Sequence, residues 1–350
     1  MFSKTRKTEE GRYTDWMRLE NVLALTDGKL INTPFVKQFT TLAFDASRVK
    51  RGDLFVAFDE TGIEEAILNG AYGLLFDKPT QIRDNEIAWI KVKDLEDALT
   101  RLLRFRLIEK DIIVYECNEV VLKLAMQINT EVSFIVLSGD LHDNIKDLWE
   151  LETQTTLLFC PSITPKELFT QVKQIPSFTS ASITIVEQTL FESSFIYKGV
   201  FYERQVISPF FIPYLEELLH LFSSLDINFR LKKFVPIDHF EAVFTNKKFE
   251  IKEFGTSDTV LIFEKDCKLV KDEIAYLQTK ASWATIIFLI PSWHSDNFDS
   301  LENVIIYKNE NEILKLLRAH PFHFALIAGV DKSILSQPFV SQRQISLFDF

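Results

Sequence analysis

The chain has 350 residues, a formal net charge of −11 and 47% hydrophobic residues. This length predicts two or three globular domains, and the composition excludes wholesale disorder. The acidic balance argues against direct nucleic-acid binding, which needs a clustered basic surface. No apolar run approaches the ~18 residues of a membrane span, and three scattered cysteines indicate neither a disulfide framework nor a metal site. We therefore expect a cytoplasmic protein that does not enter a membrane.

Hydrophobic periodicity predicts alternating helices and strands along the whole chain. In the first third, helices are predicted over 16–25, 63–69 and 95–107, with strands over 40–45, 54–58, 72–77 and 87–93. The second of these helices is expected to end at Gly70. A strand, a turn and a helix follow within 110–129, then a strand over 182–186, a hairpin over 193–206 that turns at Lys198-Gly199, and a helix over 213–225. The last part predicts strands over 259–263, 285–291, 303–307 and 322–328, with helices over 270–279 and 311–319. This alternation is typical of the α/β class.

The strand–helix junction near the middle of the chain is where many α/β proteins bind phosphate with a glycine-rich loop and a lysine. Here the junction is Tyr115-Glu116-Cys117-Asn118-Glu119, which contains no glycine and no lysine but has two carboxylates. A phosphate would meet like charge and bulky side chains at this point. The junction therefore predicts that no nucleotide phosphate binds here.

Two segments in the first third carry a family resemblance. The run from Asp45 to Ala57, with its Gly-Asp-Leu-Phe-Val-Ala string, and the run from Glu65 to Phe76 resemble the N-terminal domain of the Mur ligases. These ATP-dependent enzymes form the amide bonds of the peptidoglycan peptide on a UDP-sugar. The resemblance implies a uridine-nucleotide domain. However, Ala46 and Ser47 stand where the family has Ser or Thr followed by Arg, so a residual UDP-sugar is an alternative rather than the expectation.

The middle of the chain is most similar to the Mur ligase that adds D-alanyl-D-alanine. Gly139–Ile145 resembles the family's Gly-Asn-Leu-Asn-Asn-Glu-Ile segment, and this match places the other family motifs. It puts Val120 at the phosphate-loop lysine and Val121 at the magnesium-binding threonine. It puts Phe159 at the metal carboxylate and Thr164 at the following histidine. Valine and phenylalanine cannot hold phosphate or Mg²⁺, so the resemblance implies no catalytic residues, no ATP and no metal.

Two further features follow in the last third. Asp238 and His239 are adjacent, and without a nucleophile nearby they are interpreted as a structural pair rather than an acid–base pair. The family's Asp-Asp-Ser-Tyr-Asn-Ala-Asn-Pro element should lie near 261–266, where this chain keeps acidic residues but not the rest of the motif. The terminal α/β part is also shorter than the family's C-terminal domain.

The end of the chain resembles a peptide that docks on the bacterial DNA sliding clamp. Its residues are Gln344, Ile345, Ser346, Leu347 and Phe348, and they follow a polar stretch. The glutamine amide would fix the register while the leucine and phenylalanine fill an apolar pocket. The alternative is that this tail packs on its own domain.

Taken together, the sequence predicts an α/β, three-part Mur-ligase-like architecture with a shortened C-terminal unit. The predicted parts are 1–108, 109–245 and 246–335, followed by a flexible tail over 336–350. The preferred hypothesis is a non-catalytic binding or adaptor protein whose partner is the DNA sliding clamp, with no cofactor. The alternatives are a divergent ATP-dependent ligase that adds D-alanyl-D-alanine to a UDP-sugar tripeptide, and a structural subunit with an internally packed tail.

Overall fold

The computed structural model describes residues 17–78, 80–108, 110, 112–178, 181–257, 259–298 and 301–336. The chain divides into two compact units, one of Met1–Leu122 with Glu131–Ile175 and the other of Lys123–Thr130 with Pro176–Phe350. The tail peptide over 344–348 lies outside the described residues, as does the first residue of the helix predicted over 16–25. The four-part division of the chain stays a prediction.

The bounds of the elements are as follows. The α-helices are α1 (Leu19–Thr26), α2 (Ile63–Leu68), α3 (Leu95–Ile108), α4 (Glu119–Ala125), α5 (Leu141–Glu150), α6 (Ile212–Ser224), α7 (Val270–Lys280) and α8 (Glu310–Ala319). The strands are β1 (Lys29–Leu30), β2 (Leu42–Ala43), β3 (Leu54–Val56), β4 (Gly73–Phe76), β5 (Ala88–Lys91), β6 (Ile113–Glu116), β7 (Asn129–Thr130), β8 (Phe134–Leu137), β9 (Thr156–Phe159), β10 (Lys173–Gln174), β11 (Ile183–Gln188), β12 (Ser193–Tyr197), β13 (Val200–Gln205), β14 (Phe229–Arg230), β15 (Glu241–Thr245), β16 (Thr259–Glu264), β17 (Ile286–Pro291), β18 (Val304–Tyr307) and β19 (Phe324–Ala328).

The first unit begins with a five-stranded sheet in the order β1-β5-β4-β3-β2, in which only the β1–β5 pair is antiparallel. Its strands β3, β4 and β5 are buried on both faces, because α1 and α3 pack on one side and α2 on the other. Helix α2 is followed by Gly70, whose φ is +97°, a backbone conformation that residues with a Cβ seldom adopt. The sequence predicted both the helix and this glycine stop.

A second, fully parallel sheet completes the first unit, in the order β10-β6-β9-β8. Helix α5 connects β8 to β9 and buries Leu141, Ile145 and Leu148 in the core that both sheets of this unit share. Because the strands are parallel, their carboxyl ends meet at one edge, and the loops that leave this edge are the usual place for a ligand. The β6–α4 junction and the β9 end both lie at this edge.

Three sheets are formed by the described residues of the second unit. One is antiparallel in the order β11-β12-β13, and a short one pairs β14 with β7. The third has the order β15-β16-β19-β17-β18, with β16, β19, β17 and β18 parallel and β15 antiparallel at the edge. Helix α8 packs on one face of this third sheet, where Leu261 and Phe263 meet Ile313 and Leu317.

The predicted α/β class is confirmed. The predicted strands and helices lie within a few residues of their observed bounds. Helix α5, strands β8, β9 and β15, and the two-residue strands β1, β7, β10 and β14 were not predicted. Among the described residues, no helix is both long and apolar enough to cross a membrane.

Candidate functional site

The β6–α4 junction is closed by its own residues. The Asn118 side chain accepts a hydrogen bond from the Val121 backbone N–H at 2.9 Å, so it caps the first turn of α4. Val120 and Val121 are fully buried and belong to the core of the fold. The amide that a phosphate could use is therefore already bonded, and the two positions that the resemblance aligns with lysine and threonine face protein.

A negative charge is also fixed at this junction. The Glu116 carboxylate forms an ion pair with the Lys166 ammonium. Hydrogen bonds from Lys166 and then Gln174 hold the pKa of Glu116 below its ordinary value, against the opposing effect of burial. Glu116 thus stays ionised at neutral pH, and the lysine that approaches the junction is already paired with a carboxylate. This arrangement disfavours a phosphate.

The Gly139 segment forms the start of α5 rather than a ligand loop. Asp140 caps the helix, because its carboxylate accepts a hydrogen bond from the Asp143 N–H at 3.0 Å. The Asn144 side chain turns back and donates to the Asp140 carbonyl at 2.8 Å. A Cβ at Gly139 would lie 2.6 Å from the Cβ of Asp143, so the glycine is needed for this close turn. Gly139, Asp140 and Asn144, which match or resemble residues of the family motif, are thus accounted for here by the start of α5.

The Asp140→Ala variant should lose about 1 kcal/mol of unfolding free energy, within the ~0.5–2 kcal/mol range of side-chain caps. The reason is that the Asp143 N–H loses its acceptor while the rest of α5 is unchanged. Urea denaturation would measure the loss. Asp147→Ala, an exposed aspartate on the same helix, is the control and should change stability by less than about 0.5 kcal/mol. Equal effects of the two substitutions would contradict the capping role.

The end of β9 is apolar where the family resemblance expects a metal ligand. Phe159 is fully buried, and its ring lies 4.9 Å from the Phe169 ring, centroid to centroid. Thr164 is also fully buried, and its hydroxyl donates to the Gly139 carbonyl at 3.2 Å. The Gly139 and Thr164 segments therefore do meet at the sheet edge, but through a hydrogen bond that holds two loops together.

In the segment that resembles the uridine-nucleotide domain, the polar side chains of Asp45, Ser47 and Arg48 contact one another. The Asp45 carboxylate accepts hydrogen bonds from the Ser47 hydroxyl at 2.7 Å and from the Ser47 N–H at 3.0 Å. These bonds lower the pKa of Asp45. The Arg48 side chain is mostly exposed and lies 3.7 Å from the same carboxylate. The Ser47 hydroxyl is exposed, but it is already hydrogen-bonded to Asp45.

In the second unit, Asp238 and His239 have separate partners. Asp238 forms ion pairs with Lys123 at 3.3 Å and with Lys265. Burial opposes its ionisation, but the hydrogen bond and charge of Lys265 prevail and lower the pKa of Asp238. The buried His239 instead donates from Nδ1 to Glu264 at 2.9 Å. The interpretation of these two residues as a mutual pair is therefore corrected, since the carboxylate that holds the imidazole comes from the end of β16.

Charged side chains line an open groove of ≈ 820 Å³ in this second unit. Lys332 donates to Glu241 at 2.7 Å, and Asp238 lies between Lys123 and Lys265. Each of these ammonium groups therefore contacts a carboxylate. The groove offers a balanced set of charges rather than a concentrated positive field for an anion.

Comparisons with known proteins give fold-level likenesses only. No family model and no curated protein matches the chain. The UDP-N-acetylmuramoylalanyl-D-glutamyl-2,6-diaminopimelate–D-alanyl-D-alanyl ligase from Acinetobacter baumannii is 10% identical, with a TM-score of 0.43 over 89% of this chain and 94% of that one. The MurF ligase from Thermotoga maritima in complex with ADP is 11% identical, with a TM-score of 0.45 over 84% and 94% of the two chains. At TM-scores below 0.5, these likenesses carry no argument about family or activity.

Sequence reasoning missed the residues whose environment depends on distant partners. Nothing around Glu264 or Glu273 signals that both carboxyl groups are buried in the second unit. The aromatic residues between Phe191 and Phe324 gave no periodic signal of a shared cavity either. The partner-binding residues Gln344, Ile345, Ser346, Leu347 and Phe348 lie outside the described residues, so their role stays a prediction.

Proposed function

We propose that this chain is a non-catalytic, Mur-ligase-like binding or adaptor protein of the bacterial cytoplasm, and that it docks on the DNA sliding clamp through residues 344–348. The observation that carries the non-catalytic part is the burial of Val120, Val121 and Phe159. These positions align, through the sequence resemblance, with the phosphate-binding lysine and two metal-binding groups. Side chains that fill the core are not available to a nucleotide.

Two further contacts support the loss of an ATP site. Asn118 occupies the helix N–H that a phosphate would bind, and Glu116 keeps a carboxylate at the same edge. Restoring such a site would require several simultaneous changes, because the core packing, the cap and the charge all oppose it. Direct titration with ATP and Mg²⁺ should therefore give no saturable binding.

The docking part of the proposal is supported by the sequence of the tail. Gln344 supplies a single amide that can fix register, and Leu347 with Phe348 supplies two adjacent apolar side chains. A peptide of this kind binds by filling a preformed apolar pocket with a few anchor residues. Because the peptide carries the contact, the acidic body of the protein does not need to approach DNA.

Binding to a purified bacterial sliding clamp tests this proposal. The double variant Leu347→Ala with Phe348→Ala should weaken binding by about 30-fold or more, since a single such anchor already contributes on the order of 2 kcal/mol. Gln344→Ala should also weaken binding. Gln342→Ala removes a glutamine outside the motif and should leave the Kd unchanged. A Kd that is unchanged by the Leu347/Phe348 and Gln344 substitutions, or no binding at all, would reject docking through the tail.

One alternative is a divergent ligase, and a separate assay decides it. The protein would be mixed with UDP-sugar tripeptide, D-alanyl-D-alanine and ATP–Mg²⁺, and phosphate release would be followed. We expect no turnover. Turnover that requires all three substrates would replace the non-catalytic proposal, whatever the result with the clamp.

A further inference from the structure

The second unit carries an aromatic groove at the amino end of its parallel sheet. We use this name for the cavity of ≈ 520 Å³ whose lining includes Phe191, Phe244, Phe254, Trp283 and Phe324. Three of these rings, Phe191, Phe244 and Phe324, are buried and form the floor. Trp283 is 72% exposed and Phe254 is 43% exposed, so these two rings form the rim. The floor is therefore preformed, and its rim presents apolar surface to solvent.

The rings of the groove contact one another and fix its shape. The Phe244 and Phe254 centroids are 4.8 Å apart, and those of Trp283 and Phe324 are 5.9 Å apart. Lys280, at the end of α7, lines the groove as a cation, and Glu192 lines it as an anion. The groove thus combines a large apolar floor with a small number of charged groups at its margin, which suits a short peptide with apolar anchors.

We propose that the chain's own tail occupies this groove, with Leu347 and Phe348 on the aromatic floor. Within the segment 345–350, four of the six side chains are large and apolar. Two of these anchors are adjacent, and the aromatic character of Phe348 matches the rings that line the cavity. Asp349 follows directly and would place its carboxylate near the Lys280 ammonium.

The length of the tail is sufficient for this contact. The described chain ends at Ser336, just after Ile334, which is buried in the core of the same unit. Eleven residue steps separate Ser336 from Leu347, which span about 37 Å when extended. A six-residue strand such as β16 is only about 20 Å long. The tail can therefore pass from one end of the sheet to the other and still fill the groove.

This inference does not depend on the sliding clamp, but it has a consequence for any partner of the tail. The same side chains cannot occupy the groove and a partner's pocket at once. The apparent affinity of the tail for a partner would equal its intrinsic affinity multiplied by the fraction of chains in which the tail is outside the groove. Removing the rim rings should therefore strengthen tail-dependent binding.

Photocross-linking within the full-length protein tests the contact. A benzoyl-phenylalanine is placed at position 348 in place of Phe348, the sample is irradiated, and the cross-linked peptides are mapped by mass spectrometry. We expect most cross-links from position 348 to reach groove segments around Phe191, Phe254 and Trp283. The same probe at Phe339, in the same tail, is the control and should not favour these segments.

Groove variants provide the second arm. Phe254→Ser with Trp283→Ser should lower the yield of these cross-links at least fivefold. Trp293→Ser, a tryptophan of equal exposure at 71% that does not line the groove, should leave the yield unchanged. The proposal would be overturned by cross-links that scatter over the surface or whose yield is unchanged in the groove variants. It would also be overturned if, in a mixture of isotope-labelled and unlabelled protein, the cross-links joined a labelled copy to an unlabelled one. Clamp binding plays no part in these readouts, so either proposal can fail alone.

Should the double groove variant fail to fold, the tail supplies the complementary test. Leu347→Ser with Phe348→Ser alters only the tail. It should shift the fluorescence emission of Trp283 to longer wavelength, because the ring loses its apolar cover. The comparison is made between the Trp293→Phe protein with and without these tail changes, because Trp293 is the other strongly exposed tryptophan among the described residues. No shift would overturn the proposal.

Discussion

The Phe159→Glu variant should lose at least about 3 kcal/mol of unfolding free energy and should still fail to bind ATP–Mg²⁺. Removing a buried phenylalanine side chain alone costs about 3–5 kcal/mol, because the transfer free energy is lost and a cavity remains. Glutamate adds the cost of burying a carboxyl group. Phe159 is fully buried and packs on Phe169, so neither penalty is relieved by exposure to water.

This variant restores, at one position, the residue type that the family resemblance assigns to metal binding. Its failure to recover ATP binding is expected, because Val120 and Val121 remain in the core. Urea denaturation and ATP titration would measure the two outcomes. Phe35→Glu is the matched control, since Phe35 is 86% exposed and the change should cost less than about 0.5 kcal/mol. A stable Phe159→Glu protein that binds ATP with Mg²⁺ would mean that the site is latent rather than lost.

Much of the fold could be predicted because its signals are local. The hairpin turn at Lys198-Gly199 is an example: both residues have positive φ, and glycine permits this at the second position. The observed strands β12 and β13 flank the turn as expected. Helix α2 and its stop at Gly70 were predicted on the same basis. In each case the determining residues lie within one turn of the chain.

The candidate site was predicted less completely, because its contacts join distant residues. His239 was predicted to pair with its neighbour Asp238, but its actual acceptor is Glu264, 25 positions later. The partners of Asp238 are Lys123 and Lys265, 115 and 27 positions away. When a sheet brings residues that are distant in sequence to the same edge, they can form hydrogen bonds and ion pairs that adjacent residues do not. Only the tertiary fold determines which of the several charges near Asp238 become its counter-ions.

Helix α5 was not predicted, although its signal is local. Its first residues resemble a family segment, and they were interpreted as that motif rather than as a helix start. The Asp140 cap followed by apolar residues at Leu141, Ile145 and Leu148 is an ordinary helix-start signal. The same residues can thus carry a motif-like sequence and a purely structural role, and hydrogen bonds decide between them.

The Glu273→Gln variant should be more stable than the natural protein, by an amount that grows as the pH rises. Glu273 is fully buried in α7. Burial and then the negative charge of Glu264 raise its pKa well above the ordinary value of 4.5. Glu264 itself accepts hydrogen bonds from His239 and from the N–H groups of Phe240 and Asp266. Because its pKa is raised, Glu273 stays protonated in the folded protein at pH values where a free glutamate is ionised.

The sign of the pH dependence follows from this difference. Below the ordinary pKa, glutamate at position 273 is protonated in both the folded and the unfolded chain, so ionisation makes no contribution. Above it, the unfolded chain loses the proton while the folded chain retains it, and stability falls by up to about 1.4 kcal/mol per pH unit until the folded pKa is reached. Glutamine is neutral throughout and has nearly the same shape, so it escapes this loss.

Urea denaturation of both proteins between pH 5.5 and pH 8 would measure the difference, in which the titration of all other groups cancels. Glu253→Gln, at an exposed position, is the control and should show a small difference that does not change with pH. A flat difference for Glu273→Gln would mean that Glu273 is ionised in the fold. The Glu264–Glu273 pair would then need a compensating positive charge, and the buried His239 that already binds Glu264 is the group next to it.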